Sequence, residues 1–377
     1  MRIGIDAREI CGHATGAGRY LSGLLREWAA DEDTRRHELI LYAPERLNVE
    51  VDSRRVATRL VRGSTGTWWE QVRLPRAMSQ DHLDVFFAPA FTAPLRLRVP
   101  TVVAIHDVSF VAHPEWFRMR EGMRRRMLTR QSAKRARAVI TISDFSRREL
   151  IDAFGIAGEQ VHVIPPGISA PAADRVNGAH EARVLFVGSI FNRRHVPDLV
   201  RSFAMVARRR ADASLDLVGD NRTYPHEDLQ RTIASEGLDG RVRWHRYVSD
   251  DQLGDLYGRA RAFAFLSEYE GLGLTPLEAL ASGVPPLLLD TPVARESCGD
   301  AALYVGLGDL SATARALELI LTDEATRSRL LAAAPAALAK YSWPRAARET
   351  LALIESTVDS RDSTAASGLT TGPTTDD

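Results

Sequence analysis

An alternation of short apolar runs with longer amphipathic stretches constrains this chain more than any other feature, and it occurs twice. The first series ends near residue 142 and the second begins near residue 184. The apolar runs suit buried strands, and several of the stretches between them have helical periodicity. Two such series predict two mostly parallel sheets covered by helices. The predicted strands are Arg2–Asp6, Leu39–Tyr42, Val85–Ala88, Thr101–Ile105 and Ala138–Ile142, then Val184–Val187, Leu215–Val218, Val242–Trp244, Ala262–Leu266, Pro286–Leu289 and Ala302–Val305. The predicted helices include Gly18–Ala29, Glu115–Arg135, Pro197–Arg209, Asp250–Arg259 and Pro276–Ala281.

A stretch rich in Pro, Ala, Gly and Asn separates the two series and has no periodicity, which predicts a linker. A chain of 377 residues is long enough for two domains. We predict an α/β protein with two doubly wound domains and a ligand site at the carboxyl ends of the strands, in the cleft between the domains. The predicted parts are an N-terminal domain 1–168, a linker 169–182, a second domain 183–343, a C-terminal helix 344–357 that crosses back to the first domain, and a polar, disordered tail 358–377.

Composition narrows the classes of function. Lys+Arg and Asp+Glu both number 49, so the net charge is zero and gives no general argument for nucleic acid as a partner. The two cysteines, Cys11 and Cys298, are too few for a disulfide framework or a zinc site. No secretory signal pattern and no apolar run of the ~20 residues that span a bilayer is present. We therefore expect a cytoplasmic protein.

One stretch, Arg118–Arg137, contains nine Arg or Lys residues and a single Glu. Its apolar residues Met119, Met123, Met127 and Leu128 are spaced to share a helical face. Two interpretations remain open. The methionines could pack on the protein core below a solvated basic face, or the helix could lie on an anionic membrane surface and make the protein peripheral at the inner face of the membrane.

The segment Ser267–Pro286 follows a predicted strand and begins a predicted helix. Thr275 is suited to the N-cap and Pro276 to the first position of the helix. Gly283 is suited to the position just after the helix ends. Glu278 would then complete a capping box, which gives it a purely local explanation. That explanation does not account for the sequence Glu270-Gly-Leu-Gly273 just before the cap. Glycines allow a close approach of backbone to ligand, and a helix N-terminus favours a diphosphate.

The same segment resembles the Glu-x7-Glu donor motif of retaining glycosyltransferases of family 4, which have the GT-B fold. Other segments resemble landmarks of that family in order and spacing, over about residues 1–345. These segments are Thr15-Gly-Ala-Gly-Arg-Tyr20, Val103–Ser109, Ile140–Leu150, Val161–Gly167 and Leu185–Ser189. The resemblance implies two Rossmann-like domains and a retaining, metal-independent hexosyltransferase. It also implies a nucleotide-sugar donor and no cofactor.

The resemblance assigns donor-binding roles to the residues around the motif. Glu278 would hold the donor ribose, and Glu270 would contact hydroxyls of the transferred sugar. The backbone from Gly271 through Leu272, Gly273 and Leu274 would contact the sugar and phosphates. Arg193 and Arg194 occupy the place of an Arg-Lys pair on the pyrophosphate. A nucleoside diphosphate leaves with growing negative charge, which cationic donors stabilise, and Arg can bind it through two nitrogens.

The remaining candidates also follow from the resemblance. His106, after the strand Thr101–Ile105, would position the donor sugar rather than act as a general base. Gly16 and Gly18 would let an N-terminal loop approach the diphosphate or the acceptor. Tyr247 or Val248 would border the nucleobase. We therefore assign His106 and Glu270 to the reacting centre and no residue to a metal.

The donor and acceptor are not determined by these motifs. Leu272 stands where the family usually has an aromatic residue, and Thr275 places the proline one position later than is common. GDP-mannose is our expected donor, while rhamnose, glucose and N-acetylglucosamine donors remain open. The acceptor would be a glycan, a lipid-linked glycan or a small molecule.

Several other functions fit the sequence less well. A nicotinamide dehydrogenase needs G-x-G-x-x-G after the first strand, but Leu21 stands where the third glycine should be. The Asp-x-Asp of metal-dependent glycosyltransferases occurs only as Asp31-Glu-Asp33, within a charged stretch. Neither Lys134 nor Lys340 lies in the donor segment, as a pyridoxal phosphorylase would require. An epimerase of nucleotide-sugars, or a copy of the fold that only binds them, stays open as the alternative.

Overall fold

The computed structural model describes residues 1–11, 16–47, 56–64, 66–169 and 182–367. The chain divides into two compact units. Unit 1 contains Met1–Ala112, Met119–Gly167 and Ser342–Asp377, and unit 2 contains His113–Arg118 and Ile168–Tyr341. Of the sequence predictions, Thr15, residues 170–181 of the linker and residues 368–377 of the tail lie outside the described residues.

Unit 1 is built on a seven-stranded parallel sheet with the order β3-β2-β1-β4-β5-β6-β7. Its strands are β1 Arg2–Asp6, β2 Glu38–Ala43, β3 Val56–Leu60, β4 Val85–Ala88, β5 Thr101–Ala104, β6 Ala138–Thr141 and β7 Val161–Val163. Its helices are α1 Gly16–Ala30, α2 Leu74–Met78, α3 Ser109–Ala112, α4 Met119–Arg135 and α5 Asp144–Phe154, with a π-helical turn at Trp69–Arg73 before α2.

The central strands of unit 1 are buried over almost their whole length: β4 is buried at all four positions, and β1 and β5 at every position but the first. A strand covered on both faces needs apolar residues throughout, which is why these runs were visible in the sequence. The edge strands β3 and β7 were not predicted. β3 has three exposed residues and β7 is only three residues long, so neither has the apolar signal of a buried strand.

Unit 2 is built on a six-stranded parallel sheet with the order β10-β9-β8-β11-β12-β13. Its strands are β8 Arg183–Val187, β9 Ser214–Val218, β10 Val242–His245, β11 Ala262–Phe265, β12 Pro286–Leu289 and β13 Leu303–Val305. Its helices are α6 Val196–Ala207, α7 Leu229–Ser235, α8 Asp250–Arg259, α9 Leu274–Ala281, α10 Pro292–Cys298, α11 Leu310–Thr322 and α12 Glu324–Leu338.

The last helix, α13 Trp343–Ser367, belongs to unit 1. Its first residue, Trp343, packs so tightly that a Cβ added to Gly23 or Gly167 would lie 2.4 Å and 2.2 Å from the indole ring. In addition, the indole of Trp28 donates a hydrogen bond to the carbonyl of Ala347 (3.0 Å). Because Gly23 and Gly167 have no side chains, the indole ring of Trp343 fits beside them, and this packing holds α13 against α1.

The same helix corrects the predicted tail. The helix continues to Ser367, although disorder was predicted from residue 358. The segment 358–367 contains no Gly or Pro, and the first glycine follows at Gly368. Adding residues to an existing helix costs much less than starting one, so polar composition alone does not end it.

The basic helix α4 also differs from one interpretation of its sequence. The side chains of Met119, Met123 and Met127 are 80%, 65% and 57% exposed, so the methionines do not pack on the core. Leu128 is buried with the small residues of the opposite face. None of the helices within the described ranges is both long and apolar enough to cross a bilayer.

Candidate functional site

Two loops of unit 2 meet because β8 and β11 are neighbours at the centre of its sheet. The first loop runs from the end of β8 to Arg194, and the second runs from the end of β11 to Gly273. The backbone N–H of Glu268 donates a hydrogen bond to the carbonyl of Arg193 (3.0 Å), which fixes one loop against the other. Carboxyl ends of neighbouring parallel strands are the usual place for ligands in such sheets.

An ion pair joins Arg194 and Glu270 across these loops. The Arg194 nitrogens Nε and Nη2 lie 2.9 Å and 2.8 Å from the same Glu270 oxygen, Oε1. Ser267 donates its hydroxyl hydrogen to that oxygen as well (2.9 Å). The third nitrogen of Arg194, Nη1, donates to the carbonyl of Ser189 (2.8 Å). The sequence singled out both charged residues but did not predict that they pair with each other.

Gly188 makes the room that Arg194 needs. It has a φ of +143°, and a Cβ at this position would lie 2.6 Å from Nη1 of Arg194. Gly219, at the end of the neighbouring β9, has a φ of +142°, and its Cβ would lie 2.1 Å from the Gly188 carbonyl oxygen. Both positions combine a conformation that favours glycine with a contact that excludes a side chain.

Helix α9 begins earlier than the sequence predicted. Its N-cap is Gly273, with a φ of +86°, and its first residue is Leu274. Thr275 is therefore not the N-cap, and Glu278 lies in the second turn, so the predicted capping box with Glu278 is wrong. A glycine cap has no side chain to accept the hydrogen bonds of the first turn. The first-turn N–H groups of Leu274 and Thr275 suit an anion beside Glu270. The donor contacts expected for Gly271, Leu272, Gly273 and Leu274 stay a prediction.

Arg193 lies among aromatic rings that the sequence analysis missed. Its guanidinium carbon is 4.5 Å from the ring centre of Phe191 and 5.7 Å from that of Trp116. Trp116 is itself stacked on His113 (3.8 Å, 9°) and packs edge-on against Tyr269 (6.2 Å, 71°). An aromatic face attracts a cation and limits its movement. The only sequence signal was the closely spaced His113 and Trp116, which no motif connected with Arg193.

The last two candidates in unit 2, Tyr247 and Val248, also follow the carboxyl end of a strand. Tyr247 and Val248 follow β10, which is the edge strand two places from β8. The Tyr247 side chain is 76% exposed. Beside Glu270 the structure has a cavity of about 20 Å³, lined in part by Leu272 and Gly273. That volume suits one water molecule, so a sugar would bind outside it.

In unit 1, His106 follows β5 and is held by three neighbours. Its Nε2 is 2.9 Å from the Pro89 carbonyl oxygen, which can only accept, so Nε2 carries the hydrogen. Tyr20 and Phe91 pack edge-on against its ring, at 4.9 Å and 5.6 Å. Burial lowers the pKa of His106, which favours the neutral ring. A fixed, neutral imidazole is suited to positioning a ligand.

The predicted glycine loop is in part helical. Gly16 and Gly18 lie in the first turn of α1, and Tyr20 of the same helix contacts His106. The structure thus brings the predicted residues Gly16, Gly18 and His106 to one end of the sheet in unit 1. The two glycines thus belong to a helix rather than to a loop, and their expected role in letting the backbone approach the diphosphate or the acceptor stays a prediction.

A buried charge network lies at the end of β1. Arg8 contacts Asp6 (Nη2–Oδ2 2.9 Å) and Glu70 (Nη1–Oε2 3.2 Å), and its guanidinium lies over Trp69. Two carboxylates therefore share one guanidinium. Burial raises the pKa of Asp6 to about 6, although Arg8 opposes the shift. Among the described residues, no group of His, Cys, Asp and Glu side chains has the arrangement of a metal site.

Comparison with known proteins gives two family matches that together cover most of the chain. The family model named Glycosyltransferase Family 4 matches residues 14–170. The model named Glycosyl transferases group 1 matches residues 173–336, which include the loops with Arg194 and Glu270.

Curated relatives have low sequence identity. O-antigen chain mannosyltransferase B of Escherichia coli is 26% identical over 284 residues, which are 72% of this chain and 74% of the relative. O-antigen chain mannosyltransferase RfbU of Salmonella typhimurium is 28% identical over 219 residues. That match spans 58% of this chain and 59% of the relative, less than two thirds of its length.

Solved structures show the same fold at lower identity still. Sucrose-phosphate synthase from Thermosynechococcus elongatus superposes with a TM-score of 0.77 and 18% identity, over 96% of this chain and all of the other. Anabaena HepE, solved with UDP and glucose, has a TM-score of 0.74 and 17% identity, over 94% of this chain and all of its own.

Proposed function

The chain belongs to the group 1 glycosyltransferases of family 4, and from that membership we propose that it is a retaining, metal-independent mannosyltransferase that uses GDP-mannose. Its two α/β units have the GT-B fold. The observation that most supports transfer from a nucleotide-sugar is the Arg194–Glu270 pair beside the start of α9. That place combines cations for a diphosphate with a carboxylate for sugar hydroxyls.

The mannosyl assignment rests on relatives. Two of them are named as O-antigen chain mannosyltransferases, which supports mannose as the sugar and a glycan, free or lipid-linked, as the acceptor. A small-molecule acceptor stays within the proposal. Anabaena HepE, solved with UDP and glucose, is the reason to test uridine donors alongside guanosine donors.

In the proposed reaction, Arg193 and Arg194 bind the two phosphates of the donor. Negative charge on the phosphates grows as the bond to the sugar breaks, so fixed cations bind the transition state more strongly than the ground state. The N–H groups at the start of α9 add to this stabilisation. The charge that a metal ion would supply in other transferases then comes from the chain itself.

Glu270 is proposed to orient the transferred sugar. Its Oε1 is occupied by Arg194 and Ser267, and in the part of the chain that the structure describes no hydrogen bond uses Oε2. That oxygen can accept from a sugar hydroxyl. The backbone from Gly271 to Leu274 would line the sugar and phosphate, and Glu278 would hold the ribose. Tyr247 and Val248 are proposed to border the base.

Unit 1 is proposed to supply His106, Gly16 and Gly18. The neutral ring of His106 and its bond to Pro89 suit it to orient a substrate rather than to remove a proton. The leaving phosphate would instead accept the acceptor proton on the face where the new bond forms, which preserves the configuration of the sugar.

Ligand-induced thermal stabilisation followed by a transfer assay tests the proposal. Nucleoside diphosphates and their sugar derivatives raise the melting temperature only if they bind the native state. We expect GDP and GDP-mannose to give the largest shifts, and an α-mannoside product with a suitable acceptor. A larger shift with UDP-sugars would replace the donor assignment. A shift without transfer would indicate a protein that only binds, and an altered free sugar nucleotide would indicate an epimerase.

A further inference from the structure

An exposed surface of unit 1 that contains none of the candidate donor residues combines apolar and cationic side chains. Met119, Met123, Met127, Arg130 and Lys134 are spaced four, four, three and four apart on α4, so they form one stripe along the helix. All five side chains are exposed. The three methionines form the N-terminal part of the stripe and the two cations its C-terminal part.

Other exposed side chains extend this stripe. Arg120 and Arg124 flank the methionines along α4. Arg124 is 3.4 Å from the Thr67 hydroxyl, which places the adjacent Trp68 next to the helix, and Trp68 is 67% exposed. We call the group formed by Trp68 and the exposed residues of α4 from Met119 to Lys134 the α4 surface.

Acidic residues do not cancel the charge of the stripe. Glu121 is the only carboxylate of α4, it lies off the stripe, and it pairs with Arg125 (2.8 Å). Arg118 does not belong to the surface, because it groups with unit 2 and lies over the ring of Tyr224. The exposed face is therefore strongly cationic, although the net charge of the whole chain is zero.

We propose that the α4 surface binds the headgroup region of an anionic phospholipid bilayer, with the methionines and Trp68 entering the interface. Bilayer binding needs both features that this surface combines. Cations attract anionic headgroups, and the transfer of apolar side chains from water into the interface lowers the free energy of the bound state. Trp is favoured at the boundary of lipid and water, and long basic side chains can reach the headgroups while their stems stay apolar.

The exposed apolar side chains distinguish an anionic bilayer from nucleic acid, the other anionic partner that the arginines could bind. Nucleic acid is bound mainly through its phosphates, so the arginines would suffice and the methionines would contribute little. A bilayer requires the methionines as well as the charges. The proposal concerns a surface of unit 1 and does not depend on which sugar is transferred.

Vesicle sedimentation with the full chain tests the proposal. We expect binding to vesicles of phosphatidylcholine mixed with phosphatidylglycerol, no binding to pure phosphatidylcholine, and weaker binding as salt is raised. A charge variant with Arg120→Gln, Arg130→Gln and Lys134→Gln should bind about a hundredfold more weakly. A control with Arg231→Gln, Arg315→Gln and Arg329→Gln loses the same charge from exposed positions of unit 2 and should bind like the wild type.

A second variant tests the apolar part. Replacing Trp68, Met119, Met123 and Met127 by serine keeps every charge and should still weaken vesicle binding at least about tenfold. Lipids with a quencher in the acyl chain should reduce the emission of the wild type more than that of Trp68→Phe. All of these side chains are exposed, so the variants should keep the melting temperature of the wild type.

Three results would overturn the proposal. The first is equal loss of binding in the charge variant and in its unit 2 control. The second is unchanged vesicle binding after the serine substitutions. The third is binding to a DNA duplex that matches the affinity for anionic vesicles and ignores those substitutions, which would make the α4 surface a site for polyanions.

Discussion

Arg194 holds Glu270 through two nitrogens, Nε and Nη2, that both contact the oxygen Oε1, at 2.9 Å and 2.8 Å. The two residues are 76 positions apart in the chain and meet because β8 and β11 are adjacent. The pair sets the direction of the carboxylate and, at the same time, fixes the guanidinium that we propose as a phosphate ligand. Substitution of Glu270 should therefore impair mainly the sugar part of the site, whereas substitution of Arg194 should impair both the sugar and the phosphate parts.

Glu270→Gln should lower kcat for transfer by about 100- to 1000-fold, because the amide loses the charge that binds Arg194 and the sugar hydroxyls. Binding of GDP, which lacks the sugar, should change only a few-fold, as measured by thermal shift. Glu268→Gln is the matched control, because this neighbouring carboxylate faces His195 instead (3.3 Å). Normal turnover in Glu270→Gln would contradict the site assignment.

Arg194→Lys should test whether charge alone is sufficient. Lysine keeps the charge but cannot reproduce the simultaneous contacts with Glu270 and the Ser189 carbonyl. We expect kcat/KM to fall about tenfold in Arg194→Lys and about a thousandfold in Arg194→Ala. Equal activity of Arg194→Lys and the wild type would show that the paired geometry does not matter for transfer.

Trp116→Ala should raise the KM for the donor about three- to tenfold, because Arg193 loses the ring that limits its movement. The KM for the acceptor and the melting temperature should change much less. Trp116→Phe keeps an aromatic face and should recover most of the donor affinity. A fall in kcat without a change in donor KM, or no recovery with phenylalanine, would exclude this positioning role.

Gly188→Ala should lower both stability and activity. The added Cβ lies 2.6 Å from Nη1 of Arg194 and the φ is +143°, so we expect a loss of about 1–3 kcal/mol in the free energy of unfolding. Gly237→Ala is the control, since Gly237 also has a positive φ but open space around it. That variant should lose about 1 kcal/mol and keep its activity. Equal activity of both variants would contradict the steric argument.

The Asp6 network should make stability depend on pH in a definite direction. The pKa of Asp6 is raised from 3.8 to about 6, so the folded protein binds a proton that the unfolded chain has lost in this range. Asp6 therefore contributes most stability below pH 4, and the contribution falls as pH rises through about 6, by about 3 kcal/mol in total. Among the charged groups, Arg8 lowers the pKa of Asp6, while Glu70 and Glu9 raise it.

Asp6→Asn isolates that contribution. Chemical denaturation at several pH values should show that the difference in the free energy of unfolding between wild type and Asp6→Asn varies with pH between 4 and 6 in the stated direction. The lowered pKa of His106 acts in the opposite direction, but it is common to both proteins and cancels. A difference that is independent of pH would show that Asp6 stays ionised.

The class of fold could be predicted because strands of a buried parallel sheet need apolar residues at nearly every position. Such strands therefore form continuous apolar runs that can be recognised in the sequence. The Glu270–Gly273 segment was recognisable for a similar reason, since its residues act together within one loop. Contacts between particular side chains from distant parts of the chain were not predicted. No motif connects Trp116 with Arg193, although the two side chains meet. Trp343 likewise fits between Gly23 and Gly167, which are 144 positions apart in sequence.

The sequence by itself determined the alternation of strands and helices, the polar and apolar faces, and the residue types that can bind a diphosphate and a sugar. Tertiary structure alone decided that Arg194 pairs with Glu270, that α9 begins after Gly273, and that the methionines of α4 face outward. The physical reason is the distance along the chain over which each effect acts. Periodicity and propensity act between near neighbours in the chain, whereas strand order and packing decide which distant side chains share a surface and which remain exposed.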